Sequence, residues 1–315
     1  MTRAKNDPRP APTAFPGSNS KVPQGPAVAS QPMTTGNKSS STDAAWDHAT
    51  HSNFYEYYAR ESESETTRQR FRSVQEVVLR ITSHMGTVSP LDVADIGCGA
   101  GTQCRMWAER GHRVSGLDVN EPLLQLGRER AKAQGLHINF EVGTATALPW
   151  GDATMDVCLL PELLEHVADW QSCLREAARI LRPDGLLYLS TTNVLCPKQQ
   201  EFNLPLYSWY PGQLKRYCER LAVTTHPAIA NYAKYPAVNW FSFYSLRDFL
   251  EPLGFNCMDR FALIDPSSSG WLKRTILRLL QWSTVLRFMG HVASTGTSLI
   301  AVKSAHGRAK VARDS

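Results

Sequence analysis

The chain has 315 residues, 42% of them hydrophobic, enough for one large domain or two small ones around a buried core. Its 34 basic and 29 acidic residues leave a net charge of +5, too slight a bias to mark a nucleic-acid binder. The chain holds no uncharged apolar run of about 18 residues and no apolar core near its start, so neither a membrane-spanning helix nor a secretory signal is expected. Its seven scattered cysteines form no Cys-x-x-Cys pair and suit reduced thiols in a cytoplasmic protein, with attachment to the inner face of the membrane as the variant.

Residues 1–45 are rich in Pro, Ser, Thr, Ala and Gly and bury too little to offset ordering, so a disordered tail is expected; Met33 within it is a second candidate start. A domain over 46–303 follows. From Asn53 to Ser83 the pattern is helical, with Phe71, Val74, Val77, Val78 and Ile81 at three- and four-residue spacings. Strands are predicted over Asp92–Ile96, Arg113–Leu117, Ile138–Val142, Asp156–Leu160 and Leu186–Thr191. Helices are predicted over Thr102–Glu109, Glu121–Gln134, about 163–167 and Trp170–Leu181, and Arg182 to Gly185 form a turn. This alternation implies an α/β fold: a doubly wound, mostly parallel, Rossmann-like seven-stranded sheet with helices on both faces. Ligands of such sheets bind beyond the carboxyl ends of the strands, where Asp118, Thr144, Ala145, Pro161 and Asn193 fall.

After strand five comes an aromatic-rich insertion, 194–242, with Phe202, Tyr207, Trp209, Tyr210 and Trp240 among five prolines; it reads equally as a lid or as a structural cap. A helix over Tyr244–Leu253, a strand over Phe255–Ile264 and a last strand over Thr297–Val302 would close the sheet edge as an antiparallel hairpin. Between those strands, 271–289 reads as one basic amphipathic helix with Lys273, Arg274, Arg278 and Arg287 and no acid. It either lies in the headgroup layer of an anionic membrane surface or packs on the sheet edge with its arginines reaching outward. Residues 304–315 form a basic tail, expected to be disordered.

The most telling segment is Val93-Ala-Asp95-Ile-Gly97-Cys-Gly99-Ala-Gly101, a strand running into glycines at alternate positions. Glycine permits the sharp turn and lets a ligand lie against the main chain. Asp118 ends the next strand, 17 residues past Gly101, where a carboxylate can accept hydrogen bonds from both ribose hydroxyls. Dinucleotide sites usually read G-x-G-x-x-G and face a pyrophosphate. Here the third glycine comes earlier, and Asp95 would repel a pyrophosphate but attract an ammonium. S-adenosylmethionine carries an ammonium, a sulfonium and an adenosine, and no phosphate. Tyr55, Tyr58 and Trp150 are candidates to face the sulfonium, or simply pack.

With motifs in this order, the region from Val88 to Thr192 resembles the class I S-adenosylmethionine-dependent methyltransferases. Asp95 to Gly101 resembles the family's first motif, Gly116-Leu-Asp118 its second, Ala147-Leu-Pro149-Trp150 with Asp156-Val-Cys its third-to-fourth strand signature, and Leu181 to Gly185 the turn before strand five. The resemblance implies S-adenosyl-L-methionine as cofactor, held by Asp95, Gly97, Gly99, Gly101, Asp118, Thr144, Ala145 and Pro161. The family often has Asp at the position of Thr144, whose hydroxyl accepts a hydrogen bond without charge. Glu162-Leu-Leu-Glu165-His166-Val resembles the O-methyltransferases of ubiquinone biosynthesis, in which two acids and the histidine are proposed to hold a divalent metal. On a helix Glu162, Glu165 and His166 would share a face; alternatively, His166 simply packs at a helix start.

The activity so implied is O-methylation of a small-molecule or lipid-linked acceptor, a phenol, quinol or sugar hydroxyl. His166, as a neutral imidazole of ordinary pKa about 6.5, would take the proton of the acceptor hydroxyl. Leu160-Pro161-Glu162-Leu163 lacks the Asn or Asp of base methyltransferases, and no nucleic-acid partner is expected. Two other readings stay open: a nicotinamide-dependent oxidoreductase on a similar sheet, and a cofactor-binding interaction module without catalysis.

Overall fold

The computed structural model describes residues 59–87, 89–199, 201–230, 237–264 and 270–304. The expected tails at 1–45 and 305–315, and Tyr55 and Tyr58, lie outside the described residues. The order of elements is α1 (Glu65–His84), β1 (Asp92–Ile96), α2 (Thr102–Glu109), β2 (Arg113–Asp118), α3 (Glu121–Ala133), β3 (Ile138–Val142), β4 (Met155–Pro161), α4 (Trp170–Ile180) and β5 (Leu181–Thr192). Then follow α5 (Gly212–Thr224), α6 (Phe243–Leu250), β6 (Phe255–Asp259), α7 (Arg260–Leu263), α8 (Trp271–Trp282), α9 (Thr284–Val292) and β7 (Gly296–Lys303).

The seven strands form one sheet in the order β3-β2-β1-β4-β5-β7-β6. The first five are parallel, and β7 runs antiparallel to both β5 and β6. Strands β1 to β3 progress one way and β4 to β5 the other, so the order reverses between β1 and β4, which creates a crevice at their carboxyl ends. Alternation along each strand feeds two cores. Ala94, Ile96, Leu187 and Leu189 meet Leu174 and Ala177 of α4 and Leu246 and Leu250 of α6 on one face. Val93, Leu186 and Tyr188 meet Val78 of α1, Trp107 of α2 and Leu124 of α3 on the other. Helices therefore cover both faces, as expected of a mostly parallel sheet buried on two sides.

Four local expectations need correction. The strand predicted over Phe255–Ile264 stops at Asp259, because the Asp259 carboxylate accepts the backbone N–H groups of Phe261 (3.1 Å) and Ala262 (3.0 Å) and starts α7 there. The single helix predicted over 271–289 is two helices. Ser283 is extended (φ −102°, ψ 116°), and its hydroxyl accepts the N–H of Leu286 to cap α9. The helix expected at 163–167 is only a 3₁₀ turn, Leu164–His166, since Glu162 before it is left-handed (φ 51°). The turn at Arg182–Gly185 interrupts β5 rather than preceding it. Leu181 already pairs with Met155, pairing resumes at Leu186 with Val157, and the residues between bulge out with Asp184 left-handed.

The insertion is more than a loop. Phe202, Tyr207, Cys218 and Ala222 form a small core of their own, with the rings of Phe202 and Tyr207 stacked at 4.0 Å between centroids. Tyr232 and Tyr235 lie outside the described residues.

Candidate functional site

The turn after β1 hangs from β2: the N–H groups of Gly97 and Cys98 both donate to the carbonyl of Leu117, at 2.7 and 3.1 Å. Gly97, Gly99 and Gly101 all have left-handed backbone (φ 75°, 53° and 67°), a region that L side chains rarely occupy. Their surroundings differ. A methyl group on Gly97 would come 2.9 Å from Leu163, and one on Gly101 would come 2.5 Å from the Phe140 ring, whereas one on Gly99 would meet nothing within 4 Å. Gly97 and Gly101 thus allow close packing, and Gly99 forms the open side of the turn.

Asp118, at the end of β2, faces that open side. Its Oδ2 accepts the N–H of Gly99 and its Oδ1 that of Asn120, both at 2.8 Å. These two donors lock the carboxylate's orientation and leave each oxygen room for a further hydrogen bond. Burial pushes its pKa up, opposed by those N–H groups.

Asp95 lies beneath the turn and is only 1% exposed. The Cys104 thiol donates to its Oδ2 at 3.2 Å, while its buried Oδ1 accepts no hydrogen bond. Burial, with the Asp118 charge adding to it, pushes the Asp95 carboxyl up to about 7. The neighbouring Cys98 and Cys104 thiols are pushed up as well, Cys98 to about 11, so both remain protonated at neutral pH. An uncompensated buried acceptor of this kind fits a cationic group brought in from the glycine turn.

The remaining predicted residues are arranged along the same edge. Thr144 follows β3, is exposed, and shares a 2.9 Å hydrogen bond with Thr146. Ala145 is buried in the core beside it, and Pro161 ends β4. Trp150, one of the candidates to face the sulfonium, is partly buried against the core and donates its indole N–H to Glu141 at 2.9 Å, so it packs.

Glu162, Glu165 and His166 do not share a helical face. The left-handed Glu162 carboxylate accepts the Ser190 hydroxyl at 2.7 Å, and Glu165 turns into the interior, where it accepts the Thr191 hydroxyl at 2.7 Å. Burial and the Glu162 charge push the Glu165 carboxyl well above the usual carboxylate range, which favours the protonated form, a poor metal ligand. Among the described residues no group of three His, Cys, Asp or Glu is placed to hold a metal ion, so the expected metal set is not assembled. His166 is half-buried at the end of the 3₁₀ turn.

Two features here, Glu63 and Asn239, escape sequence reasoning, and the predicted Asn193 gains unforeseen partners. Glu63, before α1, accepts the Thr102 hydroxyl at 2.9 Å, pairs with Arg105, and lies 3.3 Å from Arg130 and 3.2 Å from Arg68, so it pins its segment over the start of α2. Asn239 donates to the carbonyls of Leu164 and Val167 (3.1 and 2.7 Å), and its own carbonyl accepts the Thr192 hydroxyl at 3.0 Å. Asn193 donates to the carbonyls of His291 and Ser294 (2.8 and 2.6 Å), tying the end of β5 to the end of α9. The only sequence signal for Glu63 is a run of alternating Glu and Ser. Two open depressions lie elsewhere, one along α5 beside Arg216 and Arg220 and one at the opposite, amino edge of the sheet beside Asp92 and His112, and neither includes the glycines or acids of the turn.

Residues 94–189 match a family model described as a methyltransferase domain. A ubiquinone biosynthesis O-methyltransferase of Sinorhizobium medicae is 33% identical over 121 residues, covering 36% of this chain and 49% of that protein. One of Rhizobium rhizogenes is 38% identical over 103 residues, covering 33% and 42%. The chain thus spans about half the length of the relatives it matches. In fold it resembles a putative sarcosine dimethylglycine methyltransferase from Galdieria sulphuraria, with a TM-score of 0.50 at 14% identity over 77% of this chain and 89% of that one. Neither the oxidoreductase reading nor the non-catalytic reading gains support from these likenesses.

Proposed function

We propose that this chain transfers a methyl group from S-adenosylmethionine to an oxygen of a small-molecule or lipid-linked acceptor. The observation that carries the reading is the pairing of the Gly99–Asp118 cradle with the buried, unpartnered Oδ1 of Asp95, within residues 94–189. The cradle suits an adenosine whose ribose hydroxyls donate to the Asp118 carboxylate, and the Asp95 carboxylate suits an ammonium. Thr144 and Ala145 would flank the base, and Pro161 would line the crevice between β1 and β4. When bound, the cofactor supplies a methyl group already activated by its sulfonium.

The protein's work is then to align the acceptor and to handle its proton. A hydroxyl is a weak nucleophile while protonated, and His166 is the group proposed to receive that proton. Glu165, buried in the interior with its carboxylate taken by the Thr191 hydroxyl, is turned away from the role. The similar proteins named as ubiquinone biosynthesis O-methyltransferases support oxygen as the acceptor atom; the acceptor class proposed is a phenol, quinol or sugar hydroxyl.

Calorimetric titration tests the donor: S-adenosylmethionine and its demethylated product should both bind, and binding of a pyrophosphate dinucleotide in their place would overturn the reading. His166→Ala should lower kcat about 100-fold or more, the usual scale for a lost general base, with little change in donor affinity; an unchanged kcat would remove His166 from the mechanism.

A further inference from the structure

We infer that α8 and α9 form a docking surface for an anionic lipid bilayer. Residues 271–292, which hold both helices, contain Lys273, Arg274, Arg278 and Arg287 and no Asp or Glu, a charge of +4 in a chain whose total is +5. The rest of the chain, with 30 basic and 29 acidic residues, is close to neutral, so most of the basic excess resides in these two helices.

The two helices are fixed to the domain by their polar side. The Arg287 guanidinium bonds both oxygens of the fully buried Asp259 at 2.6 and 2.7 Å, and His291 meets the same carboxylate at 2.9 Å. Gln281 donates to the carbonyl of Phe261 at 2.9 Å. The apolar side faces outward: Trp271 is 78% exposed and Trp282 86%, with Leu272, Ile276, Val285 and Met289 exposed beside them. Arg274 and Arg278 are exposed on α8. So many large apolar side chains exposed together on two adjacent helices mark a binding face.

The chemistry of that face selects its occupant. Tryptophans at both ends of α8, with arginines between them, match the headgroup level of a bilayer, where indole rings reside and cations meet anionic lipid. With 12 residues, α8 is about 18 Å long and suited to lying in the interface, and no described helix is long and apolar enough to cross a membrane. A second copy is a poorer occupant. A two-fold contact would set the basic face against itself, with no acid in 271–292 to offset it.

Position in the fold links this surface to the site. The helices connect the end of β6 to the start of β7, and Gly296 of β7 pairs with Thr192, the last residue of β5. They therefore lie at the carboxyl edge, where the glycine turn, Asp118 and Glu162 also lie, and Asn193 ties that edge to His291. A bilayer on this face would bring a lipid-linked acceptor to the edge where the crevice opens. That last step rests on the methyl transfer proposed above; the lipid surface itself does not.

Flotation of the full chain with vesicles of phosphatidylcholine, alone or mixed with phosphatidylglycerol, tests it. The protein should partition onto the anionic vesicles, and less so as salt is added. Arg274→Gln with Arg278→Gln should lower the partition coefficient about 30-fold, ~2 kcal/mol at ~1 kcal/mol per cation near the surface. Trp271→Ala with Trp282→Ala should lower it too, while all variants keep donor binding and melting temperature. Equal partition onto both vesicle types, or no loss in either double variant, overturns the inference. So does absence from vesicles together with a dimer that the tryptophan variants dissolve. Loss of donor binding in the unaltered chain would instead strike the methyl-transfer reading alone.

Discussion

The glycine turn between β1 and α2 and the wall around Glu162 to His166 lie along one edge of one sheet, yet they are built differently. In the turn, the backbone sets the geometry. Peptide N–H groups orient Asp118, and left-handed glycines keep the approach clear. The wall is held by side chains distant in the chain, with Ser190 on Glu162, Thr191 on Glu165 and Asn239 across the 3₁₀ turn. A site framed by main chain is rigid and tolerates few substitutions. A wall assembled from separate side chains can change its ligand by small exchanges.

Substitutions can break this contrast or sharpen it. The largest effect is expected from Gly101→Ala, where left-handed strain adds to a methyl 2.5 Å from Phe140; urea unfolding should show a loss of about 2–5 kcal/mol. Gly99→Ala should cost less stability and more donor affinity, since its methyl would stand on the open side. Next comes Asp118→Asn, which removes the charge from a carboxylate expected to bond the ribose. Donor affinity should fall about 10–100-fold by calorimetry, and an unchanged affinity would remove Asp118 from the site.

Asp95 gives a pH signature. Its folded pKa of about 7 lies above the unfolded value near 3.8, so between these the folded state holds the extra proton. Its contribution to stability is therefore fully present below about pH 4 and is lost as pH rises through 7. Asp95→Asn should flatten that dependence in thermal melts. A cation bound beside Asp95 favours the charged form, so donor binding near pH 7 should release a fraction of a proton, measured by calorimetry in buffers of different ionisation enthalpy. The Asn variant should release none. The smallest effect belongs to Thr191→Val, which strips Glu165 of its donor at a cost of about 1 kcal/mol in stability, with donor affinity unchanged.

The same contrast explains what the chain discloses before folding. Alternate glycines, Asp95 and the acid at the end of β2 act over short spans, and the turn and the first five strands are legible from them. The parts misread depend on long-range partners. Phe261 continues an apolar pattern past β6, but the Asp259 carboxylate captures two N–H groups and ends the strand. Glu162 to His166 read as helical, and no periodicity discloses that Glu162 is left-handed. Ser283 interrupts a continuous apolar-basic pattern because its hydroxyl caps the next helix. Glu63 finds Thr102, Arg105 and Arg130 only once β1, α2 and α3 are packed.

The anchoring of α9 by Asp259, Arg287 and His291 has a consequence for how such a protein diversifies. The residues that secure the helix point inward, and those that would greet a surface point outward and bear little of the fold's cohesion. Exchanges confined to the outer set could shift where in a cell the molecule dwells while its chemistry stays as it was. Address and activity would drift independently along one short stretch of chain.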